Sequence, residues 1–208
     1  WKFARHGASG TYVSELFPEL AKQIDDVCVL NGMHTDNLAH APACLQLHTG
    51  TTNFVWPSMG AWTVYGLGTA NQNLPGYVTV SHLVGGDGGS PHQFGSAFLP
   101  NICQGTRIVM PGEAGAAASL RHLRDENIST RLQRRQLDFL KKLNTAHLQK
   151  FEKDRQMEGM IESFELAFRM QMEAPDLLTF EGEAEATRKL YGIGESATDW
   201  FGRQCLLA

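Results

Sequence analysis

Three side chains able to bind a divalent metal stand within seven residues of one another: His34, Asp36 and His40, in the run Met33-His34-Thr35-Asp36-Asn37-Leu38-Ala39-His40-Ala41-Pro42. Two imidazoles and a carboxylate are ligands for a borderline or hard cation, and Asn37 can add a carbonyl oxygen or a hydrogen bond to a substrate. Pro42 suits the first turn of a helix, which places His40 at the positive end of that helix. There the ring could coordinate metal or attack an electrophile, and an anionic substrate would be attracted. Each of these residues also has a plain reading: Asp36 as the cap of a turn, Asn37 as a backbone bend, and either histidine as a hydrogen-bonded or solvated side chain. His6, His48, His82, His92, His122 and His147 have no acidic companion at a telling spacing, and we read them as structural or surface residues.

The elements around this run must then hold it at the rim of a sheet. Val13, Leu16, Phe17, Leu20 and Ile24 recur at helical spacing, so a helix is expected from Val13 to Asp26. It would feed a buried strand at Val27-Cys28-Val29-Leu30, bounded by Asn31-Gly32. A short helix over Ala41 to His48 should stop at Gly50, and another over Ser58 to Leu67 should be capped by Ser58 and stopped by Gly68. Leu74 to Val80 reads as a second strand. Helices alternating with short apolar strands imply an α/β layer fold with a mostly parallel sheet, in which ligands bind where strands end and helices begin.

Farther on, Gly85-Gly86-Asp87-Gly88-Gly89 is glycine-rich like a phosphate loop, but no Lys-Ser/Thr ending follows it, so it is read as a loop. From Ser129 the pattern becomes amphipathic: Leu132, Leu137, Leu140, Leu143, Leu148 and Phe151 line one helix. Ile161, Phe164, Phe168 and Met172 line a second, expected to end before Pro175, and a third covers Glu183 to Tyr191. The domain reading is therefore an α/β region over 1–128 and a helical segment over 129–208, packed on the core or inserted in it.

Composition narrows the function classes. With 42% apolar residues among 208, the chain can bury a sizeable core. A net charge of −4 supplies no basic stripe for a phosphate backbone, so nucleic acid is not an expected partner. No run of roughly 20 apolar residues crosses a bilayer. The four cysteines lack the paired spacings of zinc or redox sites and are expected to be buried free thiols. The chain opens at Trp1 and closes on an apolar helical stretch from Trp200 to Ala208, so sequence is expected to be missing at both ends.

The run His40-Ala41-Pro42-Ala43-Cys44-Leu45-Gln46-Leu47-His48-Thr49-Gly50 resembles the sulfatase signature C-x-P-S-R-x-x-x-x-T-G, with matches at Pro42, Thr49 and Gly50. Around it, Met33-His34-Thr35, Pro57-Ser58-Met59-Gly60-Ala61-Trp62, Tyr65-Gly66-Leu67-Gly68, Gln72-Asn73-Leu74-Pro75 and Phe98-Leu99-Pro100 resemble a large bacterial family of unassigned function, domain of unknown function 1501. That family is described as sulfatase-like and placed in the alkaline-phosphatase superfamily. The similarity continues through Arg134-Arg135-Gln136-Leu137, Tyr191-Gly192 and Cys205-Leu206-Leu207-Ala208. The resemblance implies a partial alkaline-phosphatase-like core, a divalent metal ion, hydrolysis of a sulfate or phosphate ester carried by a small molecule or a glycan, and export from the cytoplasm. Two departures matter. His40 stands where sulfatases carry the cysteine that becomes formylglycine, and Cys44 replaces the supporting arginine, so no formylglycine is expected. His40 is then the catalytic candidate, as a metal ligand or as a nucleophile, with His34 and Asp36 as further ligands and Asn37 toward the substrate. The family places further ligands before and after this region, so the fragment alone is expected to be inactive. The rival expectation is a non-catalytic member of the fold that binds sulfated or phosphorylated glycans.

Overall fold

The computed structural model describes residues 1–81, 90–110, 118–120, 127–150, 155–180 and 182–208. It is mixed α/β and divides into two compact units, Trp1–Thr35 and Asp36–Ala208. The helical segment beginning at residue 129 belongs to the same unit as residues 36–128.

In the first unit, β1 (Phe3–His6) and β2 (Thr11–Ser14) form an antiparallel hairpin with Phe3 opposite Ser14 and His6 opposite Thr11. Gly7 and Gly10 bracket its turn with φ of 67° and 64°, a region that only glycine enters without cost. The Asp25 carboxylate accepts the Ala8 and Ser9 N–H groups at 2.7 and 2.9 Å and closes the turn. The helix expected from Val13 starts later, as α1 (Pro18–Lys22), because the β-branched Val13 and Thr11 join β2 and Pro18 supplies the preset φ of a first helical turn. Val13, Ala21 and Ile24 form the small core. The buried strand expected at Val27–Leu30 does not form: Val27, Val29 and Leu30 are exposed, and among the described residues no strand pairs with them. A four-residue apolar run becomes a buried strand only when a sheet accepts its backbone groups.

The second unit begins with α2 (His40–Thr49) and α3 (Met59–Leu67), both within a residue or two of expectation. Ser58 is fully buried; its Oγ accepts the Ala61 N–H at 3.3 Å and its own N–H donates to Gly95 O at 3.0 Å, fixing where α3 starts. The sheet runs β3 (Val78–Ser81), β4 (Thr106–Val109), β5 (Ser119–Leu120), in that spatial order. β3 and β4 are parallel, β4 and β5 antiparallel, so parallel pairing is confined to one pair among the described residues. The crossover between β3 and β4 carries two 3-10 turns, Pro91–Phe94 and Asn101–Cys103. Tyr77 lies against Gly60 of α3 and against Gly105 before β4, and a Cβ at either glycine would run into its ring.

The remaining helices are α4 (Thr130–Lys150), α5 (Arg155–Leu177), α6 (Glu185–Leu190) and α7 (Asp199–Leu207). α5 passes through Pro175 instead of stopping before it, since a proline in the last turn sacrifices one bond only. Ile108, Met110, Ala118 and Leu178 form one core, against which Val80, Leu120 and Leu207 pack; Ala61, Leu99 and Cys103 form another. Of the four free thiols only Cys103 is buried, while Cys28 and Cys205 are exposed, which corrects the expectation of four buried cysteines. Burial, and secondarily Glu162, pushes the Cys103 thiol up. The glycine-rich run Gly85–Gly89 lies outside the described residues, as do His82 and His122. Among the described residues no helix is long and apolar enough to cross a membrane.

Candidate functional site

His40 occupies the first position of α2 and is exposed. The chain reaches it through two polar anchors. Asn37 Oδ1 accepts the Ala39 N–H at 2.8 Å, an Asx-type turn that delivers the backbone into the helix. Asp36 is tied farther along: its N–H donates to Gln46 Oε1 at 2.8 Å, and Gln46 Nε2 donates back to Asp36 Oδ2 at 2.6 Å. Gln46, one and a half turns into α2, therefore holds the approach segment against the helix. Its partnership with Asp36 spans ten residues and has no local pattern that would announce it.

The N-terminal end of α2 has no side-chain cap. Ala39 at the cap has no side chain able to accept a hydrogen bond, and the first turn carries no acidic residue. Among the described residues the His40 ring has no hydrogen-bond partner. Uncapped N–H groups and the aligned peptide dipoles give such an end a partial positive charge suited to an oxyanion.

Three residues that carry the signature resemblance prove to be helix-building residues. Pro42 lies in the first turn, where its missing N–H costs nothing. The Thr49 hydroxyl is buried and donates to Leu45 O at 2.8 Å, and Gly50 takes the left-handed conformation, φ 80°, that terminates the helix. They start and stop α2. Cys44 follows one turn later and is partly buried.

The other expected ligands are each described within their own unit. His34 is exposed, with Nδ1 3.4 Å from Gly32 O, and belongs to the first unit, whereas Asp36 and His40 belong to the second. Asp36 is exposed and its carboxylate is engaged by Gln46. Among the described residues no group of three or more His, Cys, Asp or Glu side chains is arranged to hold a metal ion.

A family model spans residues 1–208 of this sequence. The chain belongs to the family described as "Protein of unknown function (DUF1501)". Membership in this family thus names no activity, and the sulfatase link suggested by the signature stays a matter of the residues themselves. No curated protein and no solved structure matches the chain.

Proposed function

We propose that this family is a branch of the alkaline-phosphatase/sulfatase superfamily and that, in the full-length protein, the chain takes part in hydrolysis of a sulfate or phosphate ester with His40 as its reacting group. What carries the reading is the exposed imidazole at the first position of an uncapped ten-residue helix. That placement puts a nucleophilic or ligating nitrogen beside a positive helix end, and the two together suit attack on, or retention of, a tetrahedral oxyanion. Asn37 and Asp36 act as positioning residues in this scheme, fixing the approach to α2 through Ala39 and Gln46.

A divalent cation would neutralise the ester oxygens and activate a water. The described residues do not by themselves assemble a metal-holding group, so no step is routed through a cation.

The test is His40→Ala in the complete gene product, screened against sulfate and phosphate monoesters with each common divalent metal, alongside elemental analysis. Loss of turnover by about 100-fold or more is expected for a group that reacts with, or positions, the ester. Unchanged rates together with unchanged metal content would remove His40 from the chemistry. A second reading has the histidine at the nucleophile position of a non-catalytic protein that binds sulfated or phosphorylated glycans. A wild-type protein that retains such a ligand, loses it in His40→Ala, and turns over no ester would favour the binder.

A further inference from the structure

The two faces of the parallel strand pair differ in chemistry. Side chains alternate across a strand, and Val80, Ile108 and Leu120 give one face of the sheet to the core that holds Met110, Ala118 and Leu178. The other face of the β3–β4 pair carries Thr79, Ser81 and Arg107. Arg107 stands directly opposite Thr79 in the register, and its Nε donates to Ser81 Oγ at 2.7 Å, two residues farther along β3. The guanidinium therefore leans along the strands toward their carboxyl ends, since Ser81 is the last residue of β3. In open α/β sheets ligands bind at this edge.

Two polar groups on this face lack the partners that burial requires. Arg107 is partly buried, and among the described residues its charge meets no carboxylate: the ion pairs there belong to Lys22, Arg134 and Arg203. Arginine withdrawn from water is ordinarily paired. Ser81 engages Nε alone, which leaves the terminal nitrogens of Arg107 as donors among the described residues. Beside it, Thr79 Oγ1 is shut off from solvent and has no hydrogen-bond partner among the described residues. A buried hydroxyl left unsatisfied costs free energy, and an ion or water that completes it is a standard reason for its presence.

Charge, donors and position converge on one class of ligand. Neither β3 nor β4 contributes Asp or Glu, so a metal cation would find no carboxylate on these strands and would meet a guanidinium instead. A planar fork of N–H donors flanked by hydroxyls matches the oxygens of an anion. We propose that Arg107, with Thr79 and Ser81, forms a subsite for a tetrahedral oxyanion of the phosphate or sulfate class. The terminal nitrogens of Arg107 hold two of its oxygens, Ser81 fixes the guanidinium by retaining Nε, and a rotamer step of the long Arg107 side chain opens the Thr79 hydroxyl to a third oxygen. Such a subsite suits the anionic group of the ester in the proposed reaction, yet it rests on none of the observations at α2, so the two can fail separately.

The experiment follows thermal unfolding and calorimetric titration of the complete gene product with inorganic phosphate and, separately, inorganic sulfate, against sodium chloride at matched ionic strength. At least one of the two should raise the melting temperature saturably beyond chloride, as binding to the folded state requires, and the tighter of the two identifies a phosphate or a sulfate subsite. Arg107→Met should weaken binding about tenfold or more, the change produced by losing a contact near 1.4 kcal/mol. Arg107→Lys, which keeps the charge without the planar fork, should recover part of it. Thr79→Val should also weaken binding, yet melt no lower than wild type without anion, because it removes an unsatisfied hydroxyl. That variant and Arg107→Lys carry the test if Arg107→Met does not fold. His40→Ala should bind the anion as wild type does, so failure of the ester screen and failure of this subsite can be told apart. The proposal is overturned if neither anion acts beyond chloride, if the folded variants of Arg107 and Thr79 bind it unchanged, or if binding is lost in His40→Ala instead.

Discussion

Glu165→Ala removes a bidentate side-chain link between α4 and α5. Arg134 donates from both terminal nitrogens to the two Glu165 oxygens, at 2.8 and 2.7 Å, and from Nε to Asp138 at 2.9 Å; its guanidinium also lies 4.9 Å from the centre of the Phe168 ring. Hydrogen bonds to charged groups contribute about 1.5–3 kcal/mol each before screening. The Arg134 and Glu165 side chains are 32% and 19% exposed, and Arg134 keeps Asp138 and Phe168 in the variant, so the sum must be discounted. We expect a loss of about 1.5–3 kcal/mol for Glu165→Ala and, for a unit of this size, a melting temperature lower by roughly 3–10 °C. A double-mutant cycle with Arg134→Met should return a coupling near 1–2 kcal/mol. The pH dependence gives an independent check. Hydrogen bonds from Arg134 hold the Glu165 carboxyl below the usual glutamate range, against the opposing effect of burial, with help from the charges of Arg134, Lys141 and Arg169. A carboxylate with a depressed folded-state pKa stabilises fully above its unfolded value and loses that contribution as pH falls through the folded one. The stability gap between wild type and Glu165→Ala should therefore stay flat above about pH 5 and close below about pH 4. A coupling under about 0.3 kcal/mol, or a gap that widens in acid, would refute the reasoning.

Two other predictions follow from single contacts. Ser58→Ala deletes a fully buried cap of α3 and should cost about 0.5–2 kcal/mol, read as a lower denaturation midpoint at unchanged m-value; an unaltered midpoint would show that the cap is dispensable. In the hairpin, backbone hydrogen bonds from Ser9 and Ala8 hold the Asp25 carboxyl below its ordinary value. Its grip is complete above the usual aspartate range and is lost as the pH falls through the lowered folded value. Protection factors at Ala8 and Ser9, exchange measured against the intrinsic rate at each pH, should accordingly fall in acid for wild type, while Asp25→Asn should show reduced protection already at neutral pH; equal protection in the variant would exclude the capping role.

Helix ends were written in the sequence where a local device marks them. Ser58 before α3, Gly68 after it, and Pro42 and Gly50 around α2 act through their own backbone preferences, and each works as read. The same locality placed His40 at the start of a helix, the one feature of the candidate site that spacing could deliver. Tertiary structure decided what local patterns could not. Val27–Leu30 has the composition of a strand, yet a strand exists only where another strand accepts its hydrogen bonds, and none is found among the described residues. Val13 fits a helical stripe, yet pairing with Ala4 drew it into a hairpin. The double tie between Asp36 and Gln46, ten residues apart, involves both the backbone and the carboxylate of Asp36 and has no counterpart in local spacing. The Trp62 and Phe98 rings, thirty-six residues apart in the chain, meet edge to face at 5.9 Å, a contact no periodicity encodes. Conformational preference acts over a few residues and can be read in order, whereas pairing and burial depend on which distant groups fold back into reach.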